Sequence, residues 1–290
     1  MPILHKLLNT HYANLMIQFM VGYQFRECVA GLQLSSFEMP YWGISFPEIS
    51  VAPNERTVAY ASTWNFDVPQ LSYLLNQGLR DRVSWWGWGQ RMENFPDKET
   101  CRSLFCTRLD LGVEFDERYV VCPVRAAELL NGAFPLYPLI PVSFYRDMID
   151  LCGCTPVFMG QTDENLYVAE LRRTFPCAQF LPSQGPLGDF QTIRKSVNII
   201  LPVSTFTWLA AWLSHARRII LPVCGFFEPS TGCDLLPLSE PQYEFWTLPS
   251  LRASPVQQAL EQHKSIEGQW SRVPSGSLVP DKIRDYDEDL

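Results

Sequence analysis

Residues 189–215, DFQTIRKSVNIILPVSTFTWLAAWLSH, constrain this chain more than any other stretch. They read as a helix over 189–196, an apolar β run over 198–203, and a second helix opening with Ser204, Thr205 and Phe206. An apolar strand running straight into a Ser/Thr helix start leaves backbone N–H groups and hydroxyls at the carboxyl edge of a parallel sheet. Anions such as a pyrophosphate bind there. The same residues also fit a purely structural role, with Ser204 and Thr205 as caps and Trp208 and Trp212, four apart on one helix face, as core.

Around this stretch, strand and helix signals alternate: RYVVCPV, SFYRDMIDLCG, TPVFMGQ, ENLYVAELRRTF and AQFLPS before it, RIILPVCGFF after it. Apolar strands alternating with helices predict a parallel sheet covered on both faces, Rossmann-like although no GxGxxG turn is present. The first half holds fewer such units. It reads as an amphipathic helix over 11–30, a short strand LQLSS, a loop MPYWGISFPEIS, a strand over 56–62, a helix over 67–78 and a strand over 81–89. Trp85, Trp86 and Trp88 are expected in core or domain packing, with one exposed. An α/β chain of two facing Rossmann-like domains is expected, 1–115 and 116–253, with the boundary within 108–120. A helix over 254–268 follows, then a frayed, acidic tail to residue 290.

A formal charge of −8 and no evident basic face argue against nucleic acid as a partner. The basic pairs Arg172/Arg173, Arg194/Lys195 and Arg217/Arg218 fit either a local basic cleft or solvated helix ends. Nine cysteines, an odd number mostly within apolar runs, suit reduced and buried thiols. CGC at 152–154 lacks CxxC spacing and there are four histidines, so no zinc site is expected. Neither a signal peptide nor an apolar run of ~18 residues is visible, and a cytoplasmic location is expected.

The second motif is VCPVRAAELLNGAFPLYPLIPVSFYRDMI. An arginine at the end of a parallel strand faces the ligand edge, and its planar fork binds two phosphate oxygens. Arg125 is that residue; its other reading is a salt bridge to a neighbouring carboxylate. VFMGQ ends in Gly160 and Gln161, and glycine at a strand end lets a ligand approach the backbone. Asp189 either accepts bonds from a base edge or caps its helix.

STFTWLAAWLS resembles the STFSWWGAYL segment of bacterial α-1,2-fucosyltransferases, in the same strand-to-helix context. The Arg125 segment resembles the HxRxxD motif of the GDP-fucose-dependent superfamily, with its following tyrosine or YPLLP-like stretch. HYANLMIQFM is similar to that family's GNQMFQ helix, with Asn14, Met16 and Gln18 in matching places, and VFMGQ stands where the family has FSDD. The sequence departs from the pattern at Pro123, where the motif has histidine, at Ala126, where a second arginine is common, and in lacking the amino-terminal glycine turn.

The resemblance implies a GT-B glycosyltransferase of polysaccharide biosynthesis that moves fucose from GDP-fucose to a saccharide hydroxyl, inverting and metal-independent, with no cofactor beyond the donor. Arg125 would neutralise the leaving diphosphate and Glu128 would stand where the family has Asp. Gln161, Asp189, Ser204, Thr205, Phe206 and Asn14 would lie along the donor. Glu128 and His11 are the candidate bases, with Glu38 and Glu48 also in the acceptor half. Partners would be a nucleotide sugar and a saccharide acceptor, and peripheral association with membrane glycan machinery is compatible with this. Two other readings stay open: a transferase using a UDP- or CMP-sugar, and a non-catalytic saccharide-binding protein derived from such an enzyme.

Overall fold

The structure, a computed structural model, describes residues 1–10, 12–107, 109, 111–248 and 251–278. The chain divides into two compact units, one of residues 1–109 with 232–235, the other of 110–231 with the described residues from 236 onward.

The first unit contains β1 (Ile3–Lys6), α1 (Tyr12–Cys28), β2 (Gln33–Ser35), β3 (Phe37–Met39), β4 (Ile44–Phe46), β5 (Thr57–Ala61), α2 (Val68–Asn76), β6 (Arg82–Trp86) and α3 (Lys98–Leu104). Its sheet is parallel throughout, in the order β2-β1-β6-β5. β1 was not read from the sequence, because four residues carry too little pattern. α1 is not amphipathic as expected: residues 16–22 are buried without interruption. Gly22 makes this close packing work, since a Cβ there would already lie 3.3–3.4 Å from Phe37, Leu34 and Leu4. Phe19 completes the cluster, its ring 5.8 Å from Phe37 and 6.3 Å from Phe105.

The segment expected to be a loop, 39–50, contains β4 and the last residue of β3, which pair antiparallel, with Phe37 and Met39 buried and Glu38 exposed between them. Trp85 is fully buried, Trp88 is half-buried and Trp86 is exposed.

The second unit contains β7 (Tyr119–Val124), α4 (Val142–Cys152), β8 (Thr155–Gly160), α5 (Leu166–Thr174), β9 (Gln179–Pro182), α6 (Gly185–Lys195), β10 (Asn198–Ile200), α7 (Thr205–Trp212), β11 (Arg218–Val223), β12 (Tyr243–Thr247), α8 (Val256–Ser265) and β13 (Ser271–Val273). The sheet order is β13-β12-β11-β10-β7-β8-β9, parallel except for β13. Numbered from β7, the six parallel strands run 3-2-1-4-5-6, the doubly wound Rossmann order. The two units are therefore α/β and Rossmann-like, as the alternation predicts.

Pro123 sits in β7, an interior strand of this sheet, an unusual place for a residue without an N–H. β10 pairs with β7 only at Ile199–Val121, so the ladder on that side ends before Pro123. β12 and β13 were not foreseen; β13 forms from residues expected to fray. The acidic end of the tail lies outside the described residues. All nine cysteines are free, but only Cys101, Cys122, Cys224 and Cys233 are buried, so the expectation of buried thiols holds for these four. Among the described residues no helix is long and apolar enough to cross a membrane.

Candidate functional site

In a doubly wound sheet the strand order reverses between strands one and four, and loops leaving their carboxyl ends diverge to open a ligand crevice. Here those strands are β7 and β10. The loop after β7 carries Arg125 to Glu128, and the chain after β10 passes through Pro202 and Val203 into Ser204, the N-cap of α7. Topology alone thus brings the Arg125 loop and the α7 start to one switch point.

Arg125 is partly exposed, its side chain at 23%. Its Nε donates to Glu128 Oε1 at 2.7 Å, and its guanidinium lies over the ring of Tyr137, 4.4 Å from the centroid. Tyr137 packs in turn on Phe226 at 5.1 Å. The next contact explains why the segment around Tyr137 stays in place. Phe226 N–H donates to Leu136 O at 2.9 Å, and Gly225 is left-handed at φ 58°, where a Cβ would come within 2.3 Å of the same oxygen. Only glycine permits that approach. The later residues of the segment are held by α5 and α8: Tyr167 Oη donates to Ile140 O at 2.6 Å, and His263 Nε2 donates to Leu139 O at 2.9 Å.

Gln161, at the end of β8, is committed to the same loop. Its Oε1 accepts from Ala126 N–H at 2.6 Å and Ala127 N–H at 3.0 Å, and its Nε2 donates to Glu128 Oε2 at 2.8 Å. Burial pushes the Glu128 carboxyl up, but the hydrogen bonds from Arg125 and Gln161 outweigh it and hold the group below its ordinary value. Arg125, Glu128 and Gln161 therefore form one unit in which a single carboxylate orients the arginine.

Ser204 and Thr205 are buried, and Ser204 Oγ accepts from Thr207 N–H at 3.4 Å. Phe206 stands edge-on to Phe190 at 5.6 Å. Trp208 and Trp212 are stacked core residues. Asp189 does not open its helix: α6 starts at Gly185, because left-handed Gly185 and the proline after it set the first turn. Asp189 is buried one turn in, and its two oxygens accept from Ser183 Oγ and Gln184 N–H.

Two candidates belong to the first unit. Asn14 Oδ1 accepts from Gln90 Nε2 at 3.0 Å near the start of α1; His11 lies outside the described residues. The first residue of α1, Tyr12, is left-handed at φ 46° although it is not a glycine. Tyr137 was not singled out as an arginine partner, since a contact twelve residues along a loop leaves no periodic signal. A cavity of about 560 Å³ in the second unit, lined in part by Glu240, Tyr243 and Arg272, lies at the amino end of β12, and no candidate residue lines it. Among the described residues no group of three or more His, Cys, Asp or Glu side chains is placed to hold a metal ion.

No protein-family model matches the sequence, and no curated protein does. Among solved structures, the chain is similar to E. coli ADP-heptose LPS heptosyltransferase II at 13% identity, over 93% of this chain and 99% of that one, with a TM-score of 0.41. E. coli heptosyltransferase WaaC with ADP-2-deoxy-2-fluoro heptose matches at 12%, over 91% and 99%, with a TM-score of 0.45. The iron-containing dodecameric glycosyltransferase TibC of enterotoxigenic E. coli H10407 matches at 12% over 76% of this chain, with a TM-score of 0.40, and the chain spans 59% of its length. Likeness at this level assigns neither an activity nor a substrate.

Proposed function

We propose that the chain is a glycosyltransferase that uses a nucleotide sugar, with GDP-fucose as the first donor to test and a saccharide hydroxyl as acceptor. The observation that carries this reading is the meeting of the Arg125 loop and the α7 start at the β7–β10 switch point. The motif resemblance at VRAAELL, YPLIP and STFTW supports it. In the reaction, the acceptor hydroxyl oxygen attacks the anomeric carbon from the face opposite the diphosphate while its proton passes to a general base. The bond from that carbon to the leaving oxygen breaks, and its electron pair goes to the diphosphate. The Arg125 guanidinium and the N–H groups of the first turn of α7 meet the charge that develops there. Glu128, held ionised against Arg125, acts on this reading as an orienting group, which leaves His11 as the candidate base.

The test is acceptor-dependent release of nucleotide from GDP-fucose, UDP-sugars, ADP-sugars and CMP-sugars by the wild type and by Arg125→Ala. Release of GDP that falls about 10²–10³-fold in the variant is the expected result. Near-normal turnover by Arg125→Ala contradicts the assignment. Release from another donor alone moves the donor assignment and keeps the site.

A further inference from the structure

β5 is an outer strand of the first sheet and pairs with β6 alone. A strand in a parallel ladder bonds its neighbour through alternate residues. Arg56 O accepts from Asp81 N–H at 2.8 Å and Ser62 N–H donates to Trp86 O at 3.1 Å, so residues 56, 58, 60 and 62 are the ones that face β6. The backbone N–H and C=O groups of Thr57, Ala59 and Ala61 therefore point away from the sheet. These three residues are exposed, and among the described residues no hydrogen bond reaches their outward groups.

Proteins shield such edges by charge, proline, shortness or a covering segment. The other outer strands of the two larger sheets each have such a device. β2 is three residues long with Leu34 and Ser35 buried, and Ser35 Oγ accepts from Ile49 N–H, which sets the chain at Ile49 against it. β9 ends in Pro182 and has the Arg172 guanidinium over Phe180, 4.2 Å from the ring centre. β13 is three residues long and carries Arg272. β5, TVAYA, has five residues with no charge, proline or bulge among them.

The strand is also complementary to itself. Antiparallel pairing about a two-fold axis at Ala59 sets Ala59 against Ala59, and Thr57 against Ala61, of a second copy. All three outward residues then meet outward residues, each facing pair exchanging two N–H···O bonds. Their side chains are small, so the backbones approach freely, and Arg56 falls opposite Ser62, so no like charges meet. Trp86, the register partner of Ala61, is 38% exposed on the same sheet face. In the pair it joins one cross-strand row with Ala61 and the second copy's Thr57, and only the alanine methyl separates its ring from the interface.

We propose that β5 is a dimerisation edge: two copies of this chain pair antiparallel through Thr57–Ala61 about a two-fold axis at Ala59, joining their four-stranded first sheets into one continuous sheet.

The test is sedimentation velocity on the full-length protein across a hundredfold range of concentration. The wild type is expected to pass reversibly from monomer to dimer. Ala59→Pro removes an outward N–H and leaves the β5–β6 ladder intact, so it is expected to raise the dimer dissociation constant at least tenfold with little change in melting temperature. Thr57→Lys with Ala61→Lys sets like charges opposite each other and is expected to stay monomeric. Thr57→Lys with Ala61→Glu sets opposite charges against each other at the same positions and is expected to restore the dimer, which a merely disturbed edge would not do. In Ala59→Cys the two facing Cα atoms, about 5.5 Å apart in a hydrogen-bonded pair, are within disulfide reach. Mild oxidation of that variant is expected to give a covalent dimer whose peptide map links position 59 to position 59, distinct from any link through the exposed Cys28, Cys106 and Cys177. The proposal is overturned by a wild type that is monomeric at every concentration, by a dimer that persists in the double-lysine variant, by a lysine–glutamate variant that stays monomeric, or by an oxidised Ala59→Cys dimer without the 59-to-59 link.

Discussion

Arg125 Nε donates to Glu128 Oε1 at 2.7 Å, while among the described residues the two Nη groups of the same guanidinium have no hydrogen-bond partner. One edge of the fork is thus fixed and the other is available. Bidentate recognition of a phosphate needs that available edge in a set orientation. The two readings of Arg125 from sequence, ion pair and phosphate ligand, are therefore compatible.

Glu128→Gln tests the orienting role. It should lower kcat by about tenfold while leaving the position of the acidic limb of the pH–rate profile unchanged, because a carboxylate held by Arg125 and Gln161 is not the group whose protonation that limb reports. Loss of the limb would return Glu128 to the list of bases. The sign for stability follows from the depressed pKa. The contribution is present above the ordinary glutamate value of 4.5 and is lost as pH falls through the lower folded value, so the stability gap between wild type and variant should close only below about pH 4.5.

Tyr137→Leu keeps the apolar contact with Phe226 and removes the π-face beneath Arg125. A cation–π contact at a partly exposed site is worth about 0.5–1 kcal/mol. The expected outcome is a two- to fivefold rise in donor KM with an unchanged melting temperature. An unchanged KM would show that Arg125 needs no support from the ring.

Gly225→Ala places a Cβ within 2.3 Å of Leu136 O in a left-handed conformation. A loss of about 3 kcal/mol in denaturant-measured stability is expected, from the backbone conformation and the overlap together. Gly153→Ala is the control, left-handed but with nothing within 4 Å of the added carbon, and should lose about 1–2 kcal/mol. Equal losses in the two variants would show that the Leu136 contact yields easily.

His263 is buried against Leu139 O, and burial lowers its pKa from 6.5 to about 4. The native state keeps the imidazole neutral while the unfolded chain protonates it. Stability should therefore be complete above pH 6.5 and fall by about 3 kcal/mol as pH drops to 4. His263→Gln should flatten that interval in a series of urea titrations. A slope that persists in the variant would assign it to other groups.

From β7 to β11 the second unit was legible because most of its elements carry their own signals, whereas β12 and β13 carry none. β7, β8 and β11 are apolar runs, the α7 cap is a serine before an apolar helix, and Arg125 falls where a parallel strand ends. The first unit was harder to read. β1 to β4 are three or four residues each, and their pairing is fixed by α1 and the Phe19 cluster rather than by periodicity. The start of α6 was misplaced because Asp189 resembles a cap, whereas Gly185 and Pro186 make the turn and Asp189 closes it from inside. Arg125 is held by Glu128 and Tyr137, and Glu128 in turn by Gln161, with Tyr137 and Gln161 on different loops. Tertiary convergence of that kind has no one-dimensional pattern.

The central claim, that Arg125 and the α7 start form a diphosphate site, is tested most directly by thermal shift with GDP, UDP, CMP and ADP on wild type and Arg125→Ala. At 100 times its Kd a ligand adds about 2.7 kcal/mol of stability. The account predicts that a nucleoside diphosphate, GDP first, raises the wild-type melting temperature and leaves that of Arg125→Ala unchanged. Equal shifts in both proteins, or none in the wild type with any of the four, would contradict it.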